Sequence, residues 1–278
     1  MKVVLVGHVC IDSNTSEQSS YTGWGSSLMY MAAYFRTHTD IDPVLIAPYG
    51  ADFQKYSKGL CLIATSQGKR TLVYKNVTHD GRRTQWCDHV NTAKPVPLSK
   101  EVRQSVAEAD VIVLAPLLPN YSIEYIAELF LTKKPTCLTV LLPQGFLRSV
   151  DQRGKVLSRK FEEAAGILPL FDLVVLSEDD VHGDVREAHT WAKLSQKTNI
   201  IMTQGAGGAS LVMPQGLVRA KTKPIPEEQI IDSVGCGDTF SAAAMISYFA
   251  TKDVMVAMIA GNEAASAKLC QASPTRVF

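Results

Sequence analysis

Short apolar runs bounded by turn residues recur along this chain, with stretches of helical periodicity between them. Residues 2–6 (KVVLV), 44–47, 111–115, 136–142, 173–176 and 200–203 are rich in Val, Ile and Leu, with few polar interruptions. A strand that is apolar at consecutive positions is buried on both faces, whereas a half-exposed strand alternates. Helical periods cover residues 26–36 and stretches near 100–109, 122–132, 155–166 and 184–196. Strand and helix in alternation predict a mostly parallel central sheet covered on both faces, a three-layer α/β/α domain. Ligands in such sheets bind at the carboxyl ends of the strands, so the loops that follow the apolar runs are where chemistry is expected.

One region breaks the alternation. Residues 60–90 (LCLIATSQGKRTLVYKNVTHDGRRTQWCDHV) show short alternating strands, turns at Gln67-Gly68 and Asp80-Gly81, and no helical period. They predict an antiparallel insertion that serves as a lid or as a ladder between two copies of the chain. No linker rich in Pro, Gly or Ser divides the 278 residues, so one domain over 1–278 carrying this insertion is expected. The formal net charge of +1 offers no global field for nucleic acid or an anionic membrane. Six cysteines, at 10, 61, 87, 137, 236 and 270, include no C-x-x-C pair and no His at zinc-finger spacing, and read as reduced thiols. The start, MKVVLVGHVC, lacks the length and cleavage site of a signal peptide, and no apolar stretch reaches the roughly 20 residues of a membrane span. The expectation is a soluble cytoplasmic protein.

The segment IIDSVGCGDTFSAAAMISYF, residues 230–249, places a single carboxylate, Asp238, between a glycine turn and an apolar helix. The glycines permit a tight backbone turn, and the first N–H groups of the helix have no partner within it. Such a helix start favours an anion, and above all one that gains charge during a reaction. Asp238 beside it can accept a proton from a substrate hydroxyl. The alternative is a simple helix cap. A second glycine loop, Thr203-Gln204-Gly205-Ala206-Gly207-Gly208, follows the apolar run at 200–203 and offers backbone donors and a hydroxyl to phosphate. It is neither a Walker A motif nor a G-x-G-x-x-G. The first strand ends in Gly7-His8-Val9-Cys10-Ile11, which lacks the dinucleotide fingerprint of an NAD-dependent oxidoreductase.

Asp232-Ser233-Val234-Gly235-Cys236-Gly237-Asp238 resembles the D-T-x-G-A-G-D signature of the ribokinase-like (PfkB) carbohydrate kinases, with Cys236 for the usual Ala. Thr203 to Gly208 resembles the T-x-G-x-x-G element that these kinases carry about thirty residues earlier. GHVCID at 7–12 resembles their first strand and loop, and YTGWGSSLMYMAA at 21–33 their Gly-Gly segment opening a helix. PYGAD at 48–52 and PQGFLR at 143–148 resemble further segments, the latter one of inositol-kinase-like and related sugar-kinase branches.

The resemblance implies a ribokinase-like fold with a small β-lid, and transfer of the γ-phosphoryl of ATP to a hydroxyl of a sugar or cyclitol. Asp238 would be the base, and the N–H groups of Gly235, Cys236 and Gly237 the anion hole. Asp12, Gly23, Gly25, Asn76, Arg83, Gln144 and Arg148 would bind the acceptor, and Thr203, Gly205 and Gly208 the nucleotide phosphates. The family's N-x-x-E becomes Ser177-Glu178-Asp179-Asp180 here, which leaves Asp180, with Glu178, to hold Mg²⁺. The carbonyls of Asp232 and Val234 would help bind a monovalent cation such as K⁺. A homodimer through the lid, a nucleoside acceptor stacked on Tyr21, Trp24 or Tyr30, and a catalytically silent ligand-binding homologue are the alternatives the resemblance leaves open. Trp24 and Trp86 either stack on a ligand or pack internally.

Overall fold

The computed structural model describes residues 1–17, 20–63, 68–80 and 82–272. The chain opens with strand β1 (Val3–Gly7), the antiparallel pair β2 (Cys10–Thr15) and β3 (Ser20–Gly25), and helix α1 (Ser27–His38). Strands β4 (Val44–Ile46) and β5 (Cys61–Ile63) precede the hairpin β6 (Val73–His79) and β7 (Arg82–Asp88). Then come α2 (Lys100–Glu108), β8 (Val111–Ala115), α3 (Ile123–Phe130), β9 (Leu138–Leu141), β10 (Arg148–Val150), β11 (Val156–Ser158) and the short α4 (Ala164–Ile167). The last third is β12 (Leu173–Ser177), α5 (Val185–Leu194), β13 (Asn199–Thr203), β14 (Ala209–Met213), β15 (Gly216–Ala220), α6 (Cys236–Thr251) and α7 (Val254–Leu269).

The central sheet has the order β15-β14-β13-β12-β9-β8-β1-β4-β5. Its strands from β13 to β5 run parallel, and β14 and β15 close one edge antiparallel. The pleat sends alternate side chains to opposite faces. Val4 and Val6 of β1, with Ile112 and Leu114 of β8, join the core beneath α2, α3, α4 and α5. Val3 and Leu5, with Val111 and Val113, join the core beneath α1, α6 and α7. Both faces are apolar because both are covered, so the run-on apolar strands of the sequence follow from the layering. A fully buried side chain of this kind contributes about 1.5–3 kcal/mol.

The lid departs from the sequence expectation. It is a four-stranded sheet of order β3-β2-β6-β7, so it draws on two segments, residues 10–25 and 73–88. It is also mixed, since β2 pairs parallel with β6. The start of the expected insertion belongs elsewhere: β5 is the outer strand of the central sheet. Polar residues such as Asp12, Ser13 and Asn14 masked the strand character of β2, whose pairing rather than its composition makes it a strand. Of the two expected turns, Gln67 and Gly81 lie outside the described residues. The helix expected near 155–166 is also replaced. Residues 148–158 form the hairpin β10–β11, and only Ala164–Ile167 is α-helical. This hairpin meets the lid through a Trp86–Lys155 bridge and a Cys87 N–H donating to the Gly154 carbonyl at 2.7 Å.

The joint between β1 and the lid is rigid. Gly7 has φ +155°, and a Cβ there would overlap the Ala115 carbonyl. The next residue, His8, is fully buried. Its Nδ1 accepts the Leu117 N–H at 2.9 Å, so Nε2 carries the proton and donates to the Ala93 carbonyl at 2.9 Å. Burial pushes its pKa down to about 4, which keeps the ring neutral. His8 thereby ties β1, the loop after β8 and the loop after β7 at the point where the lid leaves the sheet. The substitution Gly7→Ala is expected to destabilise the fold by about 1–3 kcal/mol, read as a lower urea midpoint at unchanged slope.

Candidate active site

A cleft of about 1090 Å³ runs between the lid and the carboxyl ends of β8, β9, β12 and β13. The helix that starts in it, α6, lacks the side-chain cap that most of the others carry. Helices α1, α2, α3, α5 and α7 begin at Ser26, Ser99, Ser122, Asp184 and Asp253, whose side chains each accept a backbone N–H of the first turn. Helix α6 begins at Gly235, which offers no side-chain cap. Gly235 has φ +81°, and a Cβ there would overlap the Tyr30 ring, so the turn requires glycine twice over. The N–H of Cys236 closes a turn on the Ser233 carbonyl at 3.2 Å. It is therefore already engaged, so of the three expected donors Gly235, Cys236 and Gly237 it is Cys236 that is committed to the turn. Asp238 stands in the first helical turn rather than at the cap.

Asp12, Asn76, Arg83, Gln144, Arg148, Glu178, Asp180, Thr203, Gly205, Gly208, Gly235, Cys236, Gly237 and Asp238 all line this cleft. Gly23, Gly25 and Asp232 do not. Gly25 has a steric task instead: a Cβ there would overlap the Asp12 carboxylate. Asp232 shapes the glycine turn, its carboxylate accepting the Val234 N–H at 2.9 Å. Asn76 is buried and held in a ladder across the lid: it donates to Asn14 at 3.0 Å and accepts from Gln85 at 2.8 Å. Trp24 packs on Tyr30 at 5.2 Å between ring centroids, and neither Trp24 nor Trp86 lines the cleft.

Three of the carboxylates that line the cleft, Asp238, Asp12 and Asp180, are each pushed upward in pKa by burial. For Asp238 the value reaches about 6: burial is the main cause, the neighbouring charges of Asp180 and Asp12 add to it, and a hydrogen bond with Ser27 and the charge of Arg148 oppose it. For Asp12, burial is opposed first by the Cys10 thiol, which donates to Oδ1 at 3.4 Å, and then by Arg83 and Arg148. For Asp180, burial is opposed first by the Ser177 N–H, donated at 2.9 Å, then by Arg148 and by a hydrogen bond with Gln144. Arg148 is thus the cation common to all three, and it lies 5.9 Å above the Tyr74 ring. Among the described residues it forms no ion pair within 4.0 Å, so its guanidinium is poised between carboxylates rather than committed to one.

Thr203 ends β13 in register with Ser177 of β12, which brings the glycine loop and the acidic turn side by side. Gly205 and Gly208 have φ +51° and +85°, and a Cβ on Gly208 would overlap the Ala220 carbonyl. Gln204 links the two loops, donating to Glu178 at 3.4 Å and accepting from Ser210 at 2.6 Å. Sequence reasoning missed the far end of the cleft, where Thr222, Lys223, Pro224, Ile225, Ile230, Ala265 and Leu269 form a largely apolar wall. Residues 222–230 (TKPIPEEQI) have no period and no motif, and only the placement of α7 gives them a role. Ser27 and Gln85 were also missed, whereas Tyr30, one of the three expected stacking partners, does line the cleft and Tyr21 and Trp24 do not. Gln85 carried the one usable signal, since β6 and β7 pair Asn76 with Gln85.

A lid over a mostly parallel three-layer sheet, with a carboxylate at an uncapped helix start and a glycine loop beside an acidic turn, defines a small-molecule phosphotransferase of the ribokinase-like fold. The model of the pfkB family carbohydrate kinases matches residues 54–277, and the chain belongs to that family. Solved structures agree on the fold. A pyrophosphate-dependent kinase of the ribokinase family, complexed with a pyrophosphate analog and myo-inositol, is 18% identical, with a TM-score of 0.75 over 99% of this chain and 97% of its own. Arabidopsis thaliana ribokinase, complexed with ribose and ATP, is 16% identical, with a TM-score of 0.70 over 96% of this chain and 92% of its own. Adenosine kinase from Sinorhizobium meliloti is 13% identical, with a TM-score of 0.69 over 100% and 96%. No curated protein matches the chain.

The raised pKa of Asp238 carries a stability consequence. Between its ordinary 3.8 and about 6 the folded chain binds this proton more tightly than the unfolded chain. Its contribution to stability is therefore present in acid and is lost as pH rises through 6. Asp238→Asn removes the ionisation and is expected to raise the melting temperature at pH 7–8, with the gain vanishing towards pH 4. Thermal unfolding across that range checks it.

Proposed function

We propose that this chain transfers the terminal phosphoryl group of ATP to a hydroxyl of a neutral sugar or cyclitol. The observation that carries the reading is Asp238, held at about pKa 6 in the first turn of an uncapped helix and facing the same cleft as Asp12. A base with a pKa near the working pH combines an ionised fraction with useful basicity.

In this reading Asp12 accepts hydrogen bonds from acceptor hydroxyls, and the lid residues Asn76 and Arg83 cover it from above. The reacting hydroxyl lies against Asp238, which takes its proton as the new oxygen–phosphorus bond forms. The bond from that phosphorus to the bridging oxygen breaks, and ADP leaves with the electron pair. The N–H donors at the start of α6, together with Arg148, meet the charge on the phosphoryl oxygens, so most of the catalysis is positioning and electrostatics. Glu178 and Asp180 stand on one acidic turn beside the phosphate loop, and Asp180 commits one oxygen to the Ser177 N–H. That donor set fits Mg²⁺, which binds through one or two carboxylates with phosphate oxygens and water, and which neutralises phosphate charge when bound. Thr203, Gly205 and Gly208 would lie along the phosphates. The apolar wall at Pro224, Ile225, Ile230, Ala265 and Leu269 supports a nucleotide donor, since a base would fill it and pyrophosphate would leave it bare. A neutral acceptor is favoured because Arg83 and Arg148 face three carboxylates, which leaves no surplus positive charge for a phosphorylated one.

Release of ADP from Mg-ATP is the test, across inositols, aldoses, ketoses, sugar phosphates and nucleosides, with pyrophosphate as a rival donor. Turnover is expected on one neutral polyol class, with kcat/KM rising to a plateau above an apparent pKa of about 6. Asp238→Asn is expected to lose about 10²–10⁴-fold. Undiminished turnover in that variant would remove Asp238 from its role. In a second variant, Arg148→Met, the cation that lowers the Asp12 and Asp238 pKa values is gone. The acidic limb of its pH profile should move to higher pH. A profile that stays in place would show that Arg148 does not act on the base.

A further inference from the structure

Lys268, in the last turn of α7, is buried, with 8% of its surface exposed. Among the described residues its ammonium has no carboxylate partner. Its contacts are two backbone carbonyls, Asp232 O at 3.5 Å and Gln271 O at 3.2 Å. A buried cation without a counter-charge is costly unless dipoles replace its hydration. Here the negative end of a helix and two converging carbonyls do so. Carbonyl oxygens in such a cluster are also the ligands that replace water around K⁺.

The same helix end grips the opposite side of the strap. The Leu269 carbonyl accepts the N–H of Ile231 at 2.8 Å and that of Asp232 at 3.3 Å. Residue 232 is therefore held by its N–H and its C=O at once. From it a short relay reaches the helix start: the Asp232 carboxylate takes the Val234 N–H, the Ser233 carbonyl takes the Cys236 N–H, and Gly235 turns the chain into α6. The Lys268 charge is felt at Cys236, where it opposes the rise that burial imposes on the thiol.

The Asp232 carbonyl was expected to help ligate a monovalent cation, and that expectation does not fit, because the Lys268 ammonium already sits on it. We propose that Lys268 is a tethered monovalent cation, a positioning residue that fixes the 232–238 turn, and that phosphoryl transfer by this chain consequently needs no K⁺. The activity part of this inference rests on the function proposed above, and the cation part does not.

The experiment compares wild type with Lys268→Met in a tetramethylammonium buffer, with K⁺, NH₄⁺ or Li⁺ added. Wild-type kcat is expected to change less than about twofold on adding K⁺. The variant is expected to lose about 10- to 100-fold in kcat through misplacement of the turn, and to regain it with K⁺ or NH₄⁺ but not with Li⁺. Thermal unfolding provides a readout that needs no turnover: K⁺ should raise the melting temperature of the variant and leave wild type unmoved. If no acceptor is turned over while this melting pattern appears, the functional reading fails and the cation inference stands. If Lys268→Met does not fold, Lys268→Gln takes its place, and the wild-type cation titration still decides. A wild type that requires K⁺, or a variant that no monovalent cation restores in either readout, would overturn the proposal.

Discussion

A half-buried ionisable carboxylate at the start of an uncapped helix is the constraint on which the rest of this structure depends. Asp238 is destabilised there by burial and by two neighbouring carboxylates. Such a group persists only where the surrounding fold over-determines its position. The over-determination is visible. Gly235 is the only residue type that fits beneath Tyr30, α6 is sunk against α1 and α7 in one apolar core, and α7 clasps the chain ahead of the turn. The stability spent at the site is offset by a sheet buried on both faces, whose apolar side chains are far more numerous than the site's charges.

The lid would answer a second demand of the proposed function, that an acceptor be enclosed without a separate domain. Because β2 leaves β1 after only two residues, Asp12 is at once a lid residue and a near neighbour of the central sheet. The neutral His8 clamp fixes this joint, and the β10–β11 hairpin props the far side of the lid at Trp86 and Cys87. Arg148 lies on that same hairpin. The cation common to the three carboxylates is therefore carried by the element that supports the lid, which couples the placement of the lid to the electrostatics of the floor.

What the sequence disclosed follows from the range of the interactions involved. The parallel sheet, the helices over 100–108, 123–130 and 185–194, and the glycine turn before α6 were legible because each is a local pattern of period or steric demand. The cleft residues Asp12, Asp180, Asp238 and Thr203 were legible because they sit in short motifs. The lid boundaries were not, since β2 has a polar composition and is a strand by its pairing with β3 and with β6, the latter some sixty residues away. The helix expected at 155–166 failed for the same reason: a hairpin that docks on the lid outweighed a weak helical period. That the Cys236 N–H closes a turn on Ser233 was not legible, because a motif names residues and not the direction of their hydrogen bonds.

A net charge of +1 conceals how sharply charge is sorted along the cleft. Near the lid, Asp12, Asp180 and Asp238 outnumber the guanidinium groups of Arg83 and Arg148, which on the proposed function would suit hydroxyls and repel free anions. In the middle the positive character comes from backbone N–H groups at the helix start and the glycine loop, which are fixed in place and need no reorganisation when a phosphoryl group arrives. At the far end the wall is largely apolar, with Thr222 and Lys223 among its residues. In the proposed function a polyphosphate would enter this gradient with its terminal phosphoryl towards Asp238 and Arg148 and its bulk away from Asp12, and selection of the reacting atom would rest on the order of these environments rather than on any single strong contact. On the proposed role of Lys268, its ammonium behind the turn would add positive potential at the middle of the cleft without placing a mobile ion near Asp238.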